Sequence, residues 1–320
     1  MLPMTEPASK AESRPSDNFR RILWKRIWQH KIFYLFMIPG IVWFFIFSYV
    51  PLFGIQVAFR NYTFNGGFTG SPWAGLKYFR QFFDYYQSTE IIRNTIVISL
   101  MKLGIGFPMP IILAVLLNEV YRMKFKKVVQ TLSYLPHFVS WVVVVTLMQR
   151  LLSVYGGPVN DLLASFGLER VQFLYNTAWF YQMIVGSDIW KNIGWNSIIY
   201  IAAIAGIDQQ LYEAAKIDGA SRFRQVWHVT LPGIRNIAVI LFILAVGGLM
   251  SAGYEQLLLL NGPATARIGS VLDVHVITSG INEGRLSYAA AVGLFQSIIG
   301  LLMILTVNRI ARKVSDISLF

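Results

Sequence analysis

The chain has 320 residues, of which 55% are hydrophobic, 15% aromatic and only 14% charged, a balance too apolar for a soluble domain of this length and expected of an all-α polytopic membrane protein. It has no cysteine, which excludes disulfides, thiolate metal sites and a cysteine nucleophile, and its four scattered histidines do not make a multi-histidine metal site. The formal net charge of +12 raises nucleic acid as a partner, but the basic residues gather at the ends of apolar spans, where membrane lipid and topology account for them and nucleic acid does not.

Residues 1–16 are rich in Pro, Ser, Glu and Ala and read as disordered. In residues 18–31, Phe19, Ile22, Leu23 and Ile27 fall near one helical face among Arg and Lys, which predicts an amphipathic helix on the inner leaflet. A signal peptide fits less well, because the apolar run begins late, is long and lacks a small-residue cleavage site. Six spans are expected after it, over residues 32–53, 95–117, 129–151, 178–206, 237–254 and 289–307. Each is near the roughly 20 residues that cross the hydrocarbon. Pro39 and Pro51 are expected to kink or end the first, and Lys102, Pro108 and Pro110 interrupt the second. The division is therefore a tail and interfacial helix over 1–31, a six-span domain over 32–311, and a second tail over 312–320.

With the N-terminus inside, the cytoplasmic pieces carry seven, four, four and three Lys and Arg, and the external loops four, two and two. That bias predicts both termini and the segment 208–233 on the cytoplasmic side of the membrane. The first external loop carries Tyr62, Phe64, Phe68, Trp73, Tyr78 and Phe79, which suits an interfacial aromatic belt or direct contact with a solute.

Segment 208–233 reads as two short helices and a turn. Asp208 is the expected N-cap of the first, Gly219 takes the left-handed conformation that ends it, and Ser221 caps the second. On that second helix Phe223, Val226 and Trp227 share a face, and Pro232 is expected to stop it before the next span. Ala214 and Ala215 keep one side thin among Glu213, Lys216, Asp218, Arg222 and Arg224, a shape that plugs into a groove on a partner or is simply a solvated loop.

Polar groups inside the spans are the remaining candidates for function. Asp188 and Lys191 are three apart on the fourth span and can pair, with Asn192, Trp195, Asn196 and Tyr200 continuing along the helix. Amides and aromatic faces of this kind hold sugars; the alternative is a buried structural pair with inter-helix hydrogen bonds. Lys102 is either a counter-ion for an acidic substrate or snorkels to the surface, and Tyr254 and Glu255 lie either in the mouth of the path or at a helix end. Gly247 and Gly248 read as close-packing positions. No phosphate-binding Gly-x-x-x-x-Gly-Lys-Ser/Thr loop, no Ser/His/Asp grouping and no HExxH pair occurs, so neither ATP hydrolysis nor another catalytic activity has residues to support it, and no metal site is expected.

Glu213-Ala214-Ala215, then Asp218-Gly219-Ala220, then Leu231-Pro232 after a ten-residue gap, resembles the EAA loop of permease subunits of bacterial binding-protein-dependent ABC importers; Val229 stands where that family often carries isoleucine. Residues 73–79 followed by Asn94-Thr95 are similar to a run in sugar-importer permeases, and residues 134–141, Tyr-Leu-Pro-His-Phe-Val-Ser-Trp, to the branch for complex saccharides. The resemblance implies a six-span type I importer permease, with Glu213, Ala214, Ala215, Asp218, Gly219, Ala220, Arg222, Phe223, Trp227, Leu231 and Pro232 seated in a cytoplasmic ATPase. It implies a second permease subunit, a paralogue in a heterodimer, together with two ATPase subunits that bind ATP and Mg, and an external solute-binding protein. The chain itself holds no cofactor. The implied substrate is an oligo- or polysaccharide, alginate among them, and an acidic polymer suits Lys102 and Lys191. An ion-coupled secondary transporter or channel is the alternative, but it calls for acidic relays or inverted broken helices, and Asp188 is the lone candidate. A purely structural membrane anchor leaves the polar face of the fourth span unexplained.

Overall fold

The computed structural model describes residues 24–26 and 28–315 together with Ile22 and Leu319. Phe19, Leu23 and Ile27 of the expected interfacial helix lie outside the described residues. The chain divides into two units, residues 1–56 and 57–320.

The first unit holds most of helix α1, Lys31–Phe59, one of four helices among the described residues long and apolar enough to cross a membrane. Pro39 sits inside it without ending it. A widened π-type turn over Phe45–Tyr49 precedes Pro51, after which the helix tightens to a 3-10 form. Phe33, Leu35, Phe36, Trp43 and Phe47 are all exposed, as lipid-facing side chains are.

The second unit is built on α2 (Lys77–Phe83), α3 (Ser88–Asn118), α4 (Met123–Phe138), α5 (Trp141–Leu151), α6 (Pro158–Ser165) and α7 (Phe180–Ala205). After these come α8 (Gln209–Ile217), α9 (Arg222–Gly247), α10 (Tyr254–Leu260), α11 (Leu272–Ile277) and α12 (Leu286–Ser315). Among the described residues there is no β-strand, only an isolated antiparallel bridge between Arg60 and Trp73. Together with α1, helices α3, α9 and α12 meet the length and apolarity that crossing requires. The expected third span is broken: α4 and α5 meet at 104°. Pro136 withholds an amide from the helix, and Val139 and Ser140 take extended backbone, with Ser140 Oγ accepting from Val143 N to start α5. The pair makes a fifth crossing if counted as one. Helix α7, at 26 residues, is about 39 Å long, enough to span, but its polar side chains keep it below the apolarity of the other four.

Two further boundaries differ from expectation. Pro232 does not stop a helix: α9 runs through it, because a π-type turn over Val226–Thr230 opens the ladder where the proline amide is missing. A similar wide turn over Lys102–Gly106 precedes Pro108 inside α3. The fifth span, expected to reach residue 254, ends at Gly247; an irregular stretch follows, and Tyr254 opens the separate helix α10.

Buried side chains weld these elements in three clusters. Ala114 of α3, Tyr200 and Ile204 of α7 and Ile234 of α9 form the one nearest the α8 end. Ile98, Val145, Ile184, Leu257 and Val271 join α3, α5, α7, α10 and the residue before α11. Phe82, Ile91, Met250, Leu272, Tyr288 and Val292 join α2, α3, α11 and α12. Gly247 lies against Ile304 of α12, a close approach of two spans.

Candidate functional site

The segment between α7 and α9 is a compact knob. Asp208 Oδ1 accepts from Gln210 N at 2.9 Å and so caps α8. At the other end Gly219 N donates to Lys216 O at 3.0 Å and Ala220 N to Ala215 O at 2.8 Å, the paired bonds of a Schellman stop, with Gly219 at φ +73°. Ser221 has the extended backbone of an N-cap, yet its hydroxyl makes no cap bond; Gln225 Nε2 instead donates to Ala220 O at 2.9 Å. Glu213, Ala214 and Asp218 are exposed on α8, and Ile217, the most exposed large apolar residue of the segment at 87%, stands out from its last turn. Phe223 and Trp227 are exposed on the start of α9 with rings 6.1 Å apart and edge to face. Arg222 ties the knob to the turn after α3: it donates to the Tyr121 hydroxyl, lies 4.4 Å over the Tyr121 ring and reaches Glu119 at 3.7 Å. Tyr212 and Thr230 hydroxyls meet at 3.0 Å and bind α8 to α9. Leu231 and Pro232, both in α9, continue the same helix toward the core.

Beyond the knob, α3, α7 and α9 enclose a cavity of about 330 Å³. Lys102, Asp188, Asn192, Asn196 and Tyr200 line it, with Ser99, Leu241 and Ala245. Ser99 Oγ is buried and has no hydrogen-bond partner among the described residues. The structure rearranges the expected pairs. Asp188 lies 3.5 Å from Lys102 Nζ on α3, where the sequence spacing suggested Lys191. Lys102 does not snorkel: Nζ also donates to Ala252 O at 2.8 Å and to Gln256 Oε1 at 2.6 Å, so it is held inward by the irregular stretch and α10.

Lys191, only 8% exposed, turns the other way. Its Nζ donates to Pro136 O at 3.4 Å, to His137 O at 2.7 Å and to Val139 O, and it lies 5.6 Å over the Trp141 ring. Pro136 O already accepts from Val139 N at 3.1 Å; the His137 and Val139 carbonyls lie at the break between α4 and α5, and the one ammonium reaches all three. His137 stacks flat on Trp195 at 4.6 Å and meets Asn192 Oδ1 through Nδ1 at 3.1 Å, which locks the broken span against α7. Lys191 and Trp195 therefore do not line the cavity; they hold the broken span to α7. Tyr254 and Glu255 are exposed in the first turn of α10 and do not line it either.

Residues that spacing alone did not single out complete the polar core. Gln256, 1% exposed, passes hydrogen bonds from Lys102 to Ile184 O and Ser187 Oγ at 2.7 and 2.8 Å. Asp273 accepts from Ser251 Oγ at 2.9 Å, Gly253 N at 3.1 Å and Gln296 Nε2, and Gln296 also donates to Met250 O at 2.7 Å. An isolated glutamine beside a run of leucines was the available signal for Gln256; Asp273 and Gln296 gave none.

Residues 106–316 match the family described as the binding-protein-dependent transport system inner membrane component. Among curated proteins, the polygalacturonan/rhamnogalacturonan transport system permease protein YteP of Bacillus subtilis (strain 168) is 44% identical, over 97% of this chain and 96% of its own length. A chain in the crystal structure of a bacterial ABC transporter involved in the import of the acidic polysaccharide alginate superposes with a TM-score of 0.83 at 38% identity, covering 92% of this chain and 99% of that one. A second crystal structure, of a bacterial alginate ABC transporter in complex with an alginate pentasaccharide-bound periplasmic protein, gives 0.84 at 37%, over 93% and 99%. These matches, falling on a chain that carries the knob and the motif Glu213 to Pro232 in folded form, make it a member of that family: a multi-pass inner-membrane permease component of an ABC importer, distinct from the ATPase that drives it.

Proposed function

We propose that the protein forms half of the translocation path for an acidic oligosaccharide and that residues 208–233 are gripped by a cytoplasmic ATPase. The observation that carries this reading is that α9 is one helix from Arg222 in the knob to Leu241 and Ala245 in the cavity wall. Displacement of the knob is displacement of that wall. ATP binding closes a pair of ATPase subunits, which hold the ATP and Mg; the knob follows, and the spans open outward to receive solute from an external solute-binding protein. Near-complete conversion between two such states takes a differential binding energy on the order of 5 kcal/mol, which a rigid element transmits and a flexible loop does not.

One chain offers one knob, so a pair of ATPases calls for a second permease subunit, a paralogue in a heterodimer. The six-span count takes α4 and α5 as one crossing and α7 as another, with 1–31 as a cytoplasmic tail and interfacial helix, 312–320 as a tail and both termini cytoplasmic. The substrate follows from the relatives, whose names specify galacturonan and alginate, both polymers of uronic acids, and from the cavity. Ser99, Asn192, Asn196 and Tyr200 offer hydroxyl and amide partners to a sugar, and Lys102 offers its ammonium to a carboxylate that displaces Asp188. Lys191 and Trp195 keep the wall in shape, and Tyr254 and Glu255 stand at its exposed edge.

Reconstitution in vesicles tests this. Uptake of an alginate or galacturonate oligosaccharide is expected only with ATP, the ATPase subunits and the binding protein together. Uptake driven by an ion gradient with the ATPases absent would instead identify an ion-coupled transporter.

A further inference from the structure

A second, larger concavity lies at the opposite end of α3 from the knob. Arg222 of the knob touches Glu119 and Tyr121, just past the last residue of α3, whereas the concavity is lined by residues 61–85, just before its first. The 31 residues of α3 separate the two by about 45 Å, more than the roughly 30 Å thickness of the hydrocarbon. The basin measures about 1120 Å³ and is closed on its far side by Gly284 to Tyr288 at the start of α12.

Its walls are fixed by the fold. Tyr62 N donates to Ser287 Oγ at 3.0 Å, the Tyr78 hydroxyl donates to Asn61 Oδ1, and the Arg60–Trp73 bridge is braced by Arg60 Nη1 on Thr69 O and Ser71 O at 3.0 and 2.9 Å. The aromatic residues of this loop divide by role. Phe59 packs on both Trp73 and Phe79, while Tyr62, Tyr78 and Tyr85 line the basin, and Tyr288 lies buried in its floor beneath Arg285. Tyr288 is anchored from behind, its hydroxyl 2.8 Å from His275 Nε2.

The charge is one-sided. Lys77, Arg80 and Arg285 line the basin against a single carboxylate, Asp84. Arg285 pairs with Glu283 at 3.2 Å and lies 4.1 Å over the Tyr288 ring, while Lys77 and Arg80 make no ion pair among the described residues. Tyrosine faces suit the flat apolar sides of pyranose rings, amides such as Gln81 suit their hydroxyls, and guanidinium forks suit carboxylates. Concave sites for bound molecules run to about 1,000 Å³, whereas a protein partner commonly takes about 800 Å² of flatter surface.

We propose that this basin is a receiving site for a uronate oligosaccharide, which it holds and orients before the chain enters the cavity at Lys102. The inference rests on the reading above for its placement outside the cell. It adds a second subsite, on the first loop and the start of α12, to the one between α3, α7 and α9.

The test uses the intact assembly of permease pair and ATPases in lipid nanodiscs without the binding protein, titrated with trigalacturonate, a neutral trisaccharide and inorganic phosphate. Trigalacturonate is expected to bind at least tenfold more tightly than the neutral trimer, and more weakly as salt is raised. Arg80→Gln with Arg285→Gln is expected to weaken it at least tenfold; both side chains are exposed, and the Arg→Lys pair, which keeps the charge, is expected to recover most of it. Equal binding of acidic and neutral trimers, no binding of either, or equal competition by phosphate would overturn the proposal. So would a Gln variant that binds trigalacturonate normally but loses stimulation by the binding protein, since the basin would then be a docking face. Wild-type uptake with ATP and binding protein, measured alongside, separates the outcomes: if it persists, only the basin inference falls, and if it is absent, the importer reading falls with it.

Discussion

A buried ammonium with three N–H donors is stable only where acceptors surround it, and Lys191 finds them in the carbonyls of Pro136, His137 and Val139. Lys191→Met keeps the volume and removes the donors, leaving the His137 and Val139 carbonyls without their ammonium partner, while Pro136 O keeps its bond from Val139 N. Unfolding in detergent, followed by near-ultraviolet circular dichroism, is expected to show a loss on the order of 3 kcal/mol. Asp188→Asn is expected to cost less than about 1 kcal/mol, because Lys102 keeps Ala252 O and Gln256, while lowering saccharide uptake. Equal stability of Lys191→Met and wild type would remove Lys191 from its place at the break. The sequence spacing suggests that Asp188 and Lys191 pair on one face of α7, but Asp188 lines the cavity and Lys191 turns to the break between α4 and α5. The partner of Asp188 comes from another helix, 86 positions earlier, and no periodicity within α7 could point to it.

His275 supplies a prediction with a sign. It stacks on Tyr85 at 5.5 Å and packs against Phe82 and the Tyr288 hydroxyl, with Glu283 and Arg285 as the charged groups near it. Burial pushes its imidazole below the usual value; Glu283 opposes that shift and Arg285 adds to it. The unfolded chain therefore takes up the proton first, near the ordinary value of about 6.5. This contribution to stability is complete above that pH and is lost as pH falls from there toward the folded value. Thermal unfolding of the purified protein is expected to move down between pH 7.5 and 5.5, and His275→Asn, which keeps a hydrogen-bonding group toward Tyr288, is expected to flatten the dependence. Parallel curves for the two proteins would assign the acid sensitivity to other groups.

At the scale of elements, the turn between α8 and α9 separates space from conformation. A Cβ on Gly219 would meet nothing within 4 Å, yet the backbone sits at φ +73°. Gly219→Ala should therefore cost only the left-handed strain, about 1–2 kcal/mol, and Gly219→Asn less. Gly219→Pro cannot reach the conformation at all, because its ring holds φ near −65°. In vesicles, the proline variant is expected to insert normally and hydrolyse ATP without uptake, while the asparagine variant keeps most of its coupling. Normal uptake per ATP in the proline variant would show that force does not pass through this turn. Asp208, Gly219 and the exposed Phe223 and Trp227 were legible in the sequence because caps and stops are local devices. The 104° break at Val139 and Ser140 was not, because Pro136 marks a weak point without showing whether the helix bends or parts. Pro232 misled in the opposite sense, since a wide turn just before it preserves the helix.

Across the whole molecule, the cavity has three walls and the knob has a route to each. It is continuous with α9, joined to α7 through residues 206–208, and tied to the turn after α3 through Arg222 on Tyr121 and Glu119. The third route is the weak one. The Arg222 and Glu119 side chains are 58% and 35% exposed, so the ion pair contributes at most about 1 kcal/mol, and the cation–π contact about as much. Together these amount to a coupling of about 1–2 kcal/mol, or roughly a 5- to 30-fold change in the balance of states. Arg222→Gln should accordingly reduce saccharide taken up per ATP hydrolysed without abolishing it, unlike Gly219→Pro, which deforms the turn that holds α8 to α9. Tyr121→Phe, which keeps the ring and loses the hydroxyl, should fall between Arg222→Gln and wild type. Raising the salt should shrink the difference between Arg222→Gln and wild type, because salt screens the ion pair that only the wild type has. If Arg222→Gln transports with unchanged stoichiometry at low salt, α3 is moved by its packing against α7 alone, through Ala114, Tyr200 and Ile204.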